Sequence, residues 1–174
     1  EGGTACAHPA EVAAHCGVLI SVVVNAAQTE AVLFGEHGAA AALQPGSLFV
    51  MCSTVDPRWS VALESRLAQL GLLYLDAPIS GGAAKAAAGQ MTMMTAGAPA
   101  AYAKAGGALE AMAAKVYKVG DRAGNGSKVK IINQLLAGVL LNDEPEPIAA
   151  AGAEIVGEHL LRLTLTEGKY HQVK

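Results

Sequence analysis

The chain has 174 residues, of which 52% are hydrophobic and 16% charged, and its formal net charge is -3. A disordered chain would be rich in charge and poor in aliphatic side chains, which excludes that class; a free-standing nucleic-acid binder driven by bulk charge would be basic, and the acidic balance argues against it. The length suits one domain, with or without an appendage.

The first apolar run is Val18-Leu19-Ile20-Ser21-Val22-Val23-Val24. It has no polar alternation and reads as a strand covered on both faces. It is far shorter than the roughly 20 residues that cross a bilayer, so no membrane partner is expected. Ala26–Leu33 makes a short helix, and Ser47–Cys52 a second buried strand in which Cys52 is a small core residue. Pro57 fits the first turn of a helix through Trp59–Leu70, with Asp56 the best placed of Ser53, Thr54 and Asp56 to cap it. Gly71 closes that helix. Leu72–Asp76 and Gln90–Thr95 read as strands, Pro99–Ala114 as a helix and Val116–Val119 as a short strand. A further helix runs from about Gly126–Ser127 to about Leu136. Strands alternating with helices predict βαβ units: an α/β fold with a mainly parallel sheet and helices on both faces.

Near residue 140 the chain changes character. From Asn142 on, 9 of 33 residues are charged, against 18 of the preceding 141, and alanine falls from 32 of 141 to 4 of 33. Asn142–Pro147 carries two helix breakers and reads as a linker. Glu154–Gly157 and Leu160–Thr166 then read as a β hairpin, because Leu161–Thr166 alternates with period two. The expected organisation is therefore a domain over 1–139 and a hairpin tail of different origin over 140–174.

The three cysteines, Cys6, Cys16 and Cys52, are odd in number and lack Cys-x-x-Cys spacing, which predicts no disulfide framework and a reducing, cytoplasmic setting. The histidines at 8, 15, 37, 159 and 171 lack zinc-ligand spacing with the cysteines, so no metal site is expected.

Three segments carry chemistry. Asp76-Ala77-Pro78-Ile79-Ser80-Gly81-Gly82 sits at the end of a predicted strand, where open α/β sheets bind ligands. A hydroxyl followed by two glycine N–H groups can hold a carboxylate; the plainer reading is a strand-end turn whose glycines permit the backbone path. In Gly124-Asn125-Gly126-Ser127-Lys128-Val129-Lys130-Ile131-Ile132-Asn133, glycines precede a helix on which Lys130 and Asn133 share a face while Lys128 points elsewhere. A partly desolvated lysine can exchange a proton with an alcohol, and an amide can orient hydroxyls; otherwise the lysine is a solvated surface charge. Cys52-Ser53-Thr54-Val55-Asp56-Pro57 is another strand end, offering either a helix cap or a cofactor contact.

These motifs, in this order, resemble the β-hydroxyacid dehydrogenases over roughly residues 1–139. Asp76–Gly82 is similar to that family's Asp-Ala-Pro-Val-Ser-Gly-Gly, Gly89-Gln90-Met91-Thr92 to its Gly-x-Leu-Thr, and Gly124–Asn133 to its Gly-x-Gly-x-x-x-Lys-x-x-Asn. The resemblance implies a Rossmann-like fold that transfers hydride between a hydroxy acid, with a sugar acid such as L-threonate expected, and NAD or NADP. It implies that Lys130 is the general acid/base, that Ser80, Gly81 and Gly82 hold the substrate carboxylate, and that Asn133 orients the substrate. Ser53 and Thr54 are implied to lie near the nicotinamide ribose, and Val24 and Asn25 to border the cofactor cleft. The family's Gly-x-Gly-x-x-Gly does not occur in these residues, which implies an N-terminally truncated domain starting after the family's second or third strand. Strand pairing with another chain, or homo-oligomerisation, is expected from an exposed sheet edge.

The tail, Leu161-Arg162-Leu163-Thr164-Leu165-Thr166-Glu167-Gly168-Lys169-Tyr170-His171-Gln172-Val173-Lys174, resembles a late motif of the pseudouridine synthases of small-subunit ribosomal RNA. That family's Gly-Arg-Leu-Asp has no counterpart here. An alternative function, RNA binding or a role related to those synthases, would act through Lys169, Tyr170, His171 and Lys174, although the segment from Asn142 is acidic on balance.

Overall fold

In a computed structural model of the chain, residues 2–137, 152–157 and 160–164 are described. The chain divides into two compact units, Glu1–Lys130 and Ile131–Lys174. In the first unit, α1 (Pro9–Ala13) is capped by His8 Nδ1, which accepts the Glu11 N–H at 3.3 Å. β1 (Val18–Ser21) leads to α2 (Ala26–Phe34), where Asn25 Oδ1 caps the Gln28 N–H at 2.9 Å. β2 (Leu48–Met51) leads to α3 (Pro57–Gln69), where Asp56 accepts the Arg58 N–H at 2.7 Å and Pro57 presets the first turn. Gly71, at φ +71°, turns the chain into β3 (Leu73–Asp76).

β4 (Ile79–Ser80), α4 (Gly82–Ala87) and β5 (Met91–Ala96) follow, then α5 (Pro99–Ala105), α6 (Ala108–Met112), β6 (Ala113–Gly120) and α7 (Asn125–Ala137). α7 continues from the first unit into the second. The second unit holds β7 (Gly152–Gly157) and β8 (Leu160–Thr164), an antiparallel pair with Glu154 opposite Arg162.

The six strands of the first unit form one sheet in the order β1-β2-β3-β5-β4, with β6 on β5. β1/β2, β2/β3 and β5/β6 pair in parallel; β5 meets β3 antiparallel at Asp76 opposite Ala96, and β4 at Ile79–Ser80. The sheet is thus mainly parallel and Rossmann-like. Its two faces carry separate cores, as the period-two geometry of strands requires. Leu19, Phe49, Met51 and Tyr74 meet Leu33 of α2 and Leu63 and Leu67 of α3 on one face. Leu48, Val50, Leu75 and Met93 meet Ala101 and Ala105 of α5 and Leu109 of α6 on the other. Cys52 lies in this second core, and burial pushes its thiol up to about 12. Arg66 of α3 ties the first layer together, bonding both carboxylate oxygens of Glu30 and lying 4.0 Å over the Phe34 ring.

Several expected boundaries shift. The first strand stops at Ser21 rather than Val24, because beyond it the Val23 carbonyl accepts from Ser53 Oγ and the Val24 N–H donates to Gln28 Oε1 instead of joining a ladder. The helix expected over Pro99–Ala114 is two: Gly106, at φ +50°, ends α5, and Ala113 already belongs to β6. β4 and α4 are additions to the expected elements. They form an arm after Pro78, whose own carbonyl accepts the Met94 N–H at 3.0 Å. The hairpin is present with β7 starting at Gly152; Leu165 and Thr166 lie outside the described residues. No helix among the described residues is long and apolar enough to cross a membrane.

Candidate active site

The carboxyl ends of β1, β2 and β3 point the same way, so the segments following them gather at one edge of the sheet. After β1, Val22 and Val24 are 62% and 78% exposed, an unusual position for valines in a parallel strand's continuation. Asn25 is exposed, and its carboxamide is occupied in capping α2. Ser53, just past β2, is buried; its hydroxyl donates to the Val23 carbonyl at 2.6 Å and lies 3.4 Å from Thr29 Oγ1, which in turn donates to the Asn25 carbonyl. Val24, Asn25 and Ser53 therefore form one connected group in which Ser53 joins two strand ends. Thr54 beside it is half-buried.

β3 ends in Asp76, which is fully buried. Its Oδ2 accepts the Gly124 N–H at 2.8 Å and the Ser127 N–H at 3.0 Å, and its Oδ1 accepts the Ser127 hydroxyl at 2.8 Å. An anion here also meets the positive end of α7. Burial pushes the Asp76 carboxyl above the usual carboxylate range, while the hydrogen bonds from Ser127 and Gly124 pull it back. Glu64 of α3 is held above its ordinary value too, chiefly by burial, with the Ala123 N–H opposing. The loop into α7 is thus gripped by the Asp76 carboxylate.

The glycines make this approach feasible. A Cβ at Gly126 would lie 2.6 Å from the Met94 carbonyl oxygen and 2.7 Å from that of Asp76, so α7 begins directly against the backbones of β5 and β3. One turn on from Ser127 is Lys130, only 9% exposed, and burial lowers its ammonium pKa below the usual value. Lys128, by contrast, is exposed. Asn133 is a further turn along the same helix and exposed.

Ser80, Gly81 and Gly82 lie where the β4 arm turns into α4. Ser80 pairs with Thr92, is half-buried, and is followed by two exposed glycines at φ +139° and +67°. Such a turn leaves backbone N–H groups accessible to a ligand. Among the described residues no hydrogen bond joins Ser80 to Lys130 or to the Asn25–Ser53 group. Asp76, Glu64 and Ser127 are participants to which sequence reasoning assigns no role. The one signal for them is that Asp76 and Ser127 fall inside the two motifs. No group of three metal-ligating side chains occurs among the described residues. Lys169, Tyr170, His171 and Lys174 lie outside them.

The sequence pattern of the NAD-binding domain of 6-phosphogluconate dehydrogenase matches residues 1–120. The chain is 58% identical over 148 residues to an L-threonate dehydrogenase from Cupriavidus necator, covering 85% of this chain and 50% of that protein. A 3-hydroxyisobutyrate dehydrogenase from Pseudomonas aeruginosa is 33% identical over 132 residues, covering 76% of this chain and 44% of that protein. Among solved structures, a 3-hydroxyisobutyrate dehydrogenase from Salmonella typhimurium superposes with a TM-score of 0.72 at 45% identity, over 76% of this chain and 46% of its own. The chain spans about half the length of the curated relatives it matches.

Proposed function

Because the chain belongs to the family of the NAD-binding domain of 6-phosphogluconate dehydrogenase, we propose that it is the cofactor- and carboxylate-binding part of a β-hydroxyacid dehydrogenase. Its substrate is a hydroxy acid, L-threonate or a similar sugar acid, and its cofactor NAD or NADP. The observation that carries this reading is Lys130: a buried lysine with a lowered ammonium pKa, one turn into a helix that starts against the ends of β3 and β5. Lowering the pKa raises the share of neutral amine, the form that takes the proton from the substrate hydroxyl as the C–H bond gives up its hydride. The Ser80 hydroxyl and the Gly81 and Gly82 N–H groups hold the carboxylate. Asn133 takes the orienting role through its place on the helix.

The residues present fit the nicotinamide end of the cofactor, which when bound supplies the hydride acceptor. Val22 and Val24 offer exposed apolar surface at a strand end, with Asn25, Ser53 and Thr54 around it. No Gly-x-Gly-x-x-Gly for the pyrophosphate occurs in the 174 residues. Three free cysteines accord with a reducing, cytoplasmic setting.

The test is a fluorescence titration with NADH and NADPH, followed by turnover of L-threonate. Saturable binding of one of them is expected; binding of neither overturns the cofactor assignment. Lys130→Met should leave cofactor binding in place and lower turnover about 10²–10⁴-fold, the usual contribution of a positioned acid/base. Turnover near that of the unaltered chain would remove Lys130 from the reaction.

A further inference from the structure

We propose that Asp76 is a positioning residue for Lys130: through Ser127 it fixes the rotation of α7 about its own axis, and so the direction in which Lys130 faces. The inference rests on the reading of Lys130 given above, but its geometry is independent of any substrate. Ser127 and Lys130 are three residues apart and therefore share a face of the helix. That face turns inward, with Ser127 fully buried and Lys130 9% exposed, while Lys128 between them is exposed. Asp76 grips Ser127 by both its N–H and its hydroxyl, through different carboxylate oxygens. A bidentate contact of this kind resists rotation, whereas a single bond acts as a pivot. A third bond to the Gly124 N–H fixes the loop before the helix. Gly126 seats the start of the helix close to the strands, where a Cβ would lie 2.6 Å from the Met94 carbonyl oxygen and 2.7 Å from that of Asp76. Only two residues separate Ser127 from Lys130, so rotation of the first turn carries the lysine with it.

Burial is what lowers the Lys130 ammonium. This gives the experiment a diagnostic sign. Deleting the Asp76 charge by a purely electrostatic route would destabilise a nearby ammonium and push its pKa down. Releasing the helix would instead let Lys130 reach water and bring its pKa up towards the ordinary 10.5.

The experiment is an NMR titration of the full chain with 13C-methylated lysines, the Lys130 signal assigned from Lys130→Arg. In Asp76→Asn and in Ser127→Ala, the Lys130 pKa should rise towards its ordinary value while circular dichroism shows a folded chain. Ser127→Ala keeps the carboxylate and both backbone donors, so it decides the matter if Asp76→Asn does not fold. A Lys130 pKa that stays in place in a folded variant, or falls, overturns the proposal. If wild-type protein turns over a hydroxy acid, its pH–rate profile should shift with the NMR value in Ser127→Ala. A shifted pKa in a protein that oxidises no hydroxy acid would sink the functional reading and leave the positioning role standing.

Discussion

Asp76 and Glu64 are both raised above their ordinary values of 3.8 and 4.5, chiefly by burial. A carboxyl with a raised folded-state pKa binds its proton more tightly in the folded chain than in the unfolded one. Its contribution to stability is complete below the unfolded value and is lost as pH rises through the folded value. Urea midpoints should therefore increase as pH falls from neutrality towards the ordinary carboxylate values, and Glu64→Gln should flatten that slope. Asp56 has the opposite sign. Its contact with Arg58 lowers its pKa, so its contribution fades only as pH falls below 3.8. A midpoint that declines steadily as pH falls from neutrality would show that Asp76 and the half-buried Glu64 do not govern this range. At this scale, sequence distinguishes Lys130 from Lys128 by spacing alone. It does not reveal what Asp76 holds, because the partners lie 48 and 51 positions away and the residue would read equally well as a substrate contact.

Among the elements, α2, α3 and the central strands are legible because their signals are local: Asp56 at a cap, Pro57 at a first turn, Gly71 at a stop, and unbroken aliphatic runs between. The Pro99–Ala114 stretch is less so, since its alanines favour helix on both sides of a glycine pair and Gly106 acts only through a backbone angle. The β4–α4 arm gives no periodic signal: α4 buries none of its residues, so no apolar stripe marks it. α7 begins where tertiary contact dictates. Gly126→Ala would place a methyl group against two backbone oxygens that cannot rotate away. It should lower stability by about 1–3 kcal/mol, as overpacking generally does, and displace the helix start. Thermal unfolding together with the Lys130 titration would register both effects, and an unchanged melting temperature would show that the strand ends yield.

For the first unit as a whole, the two sheet edges differ. β6 carries Lys115 and Lys118, charges of the kind that deter further pairing. β1 pairs only with β2 among the described residues, and Val18–Val24 carries no charge. Gly17 and Ser21 direct their carbonyls inward to Leu48 and Cys52, which leaves the alternate residues, Ile20 among them, facing outward. Val22→Lys should raise the concentration at which the chain self-associates, measured by sedimentation, because it charges that edge at an exposed side chain. Association identical to that of the unaltered chain would exclude this edge. The parallel architecture is legible from strand–helix alternation. The antiparallel contact of β5 with β3 is not, since one residue pair, Asp76 with Ala96, sets it.

The burial of Cys52 also gives the molecule an internal clock. With its thiol pushed up to about 12 and enclosed at the end of a central strand, Cys52 can be alkylated only while the sheet is open. The rate at which an electrophilic dye modifies it under native conditions would therefore count sheet openings. The half-buried Cys6 and Cys16 would react on shorter timescales and mark the start of the trace.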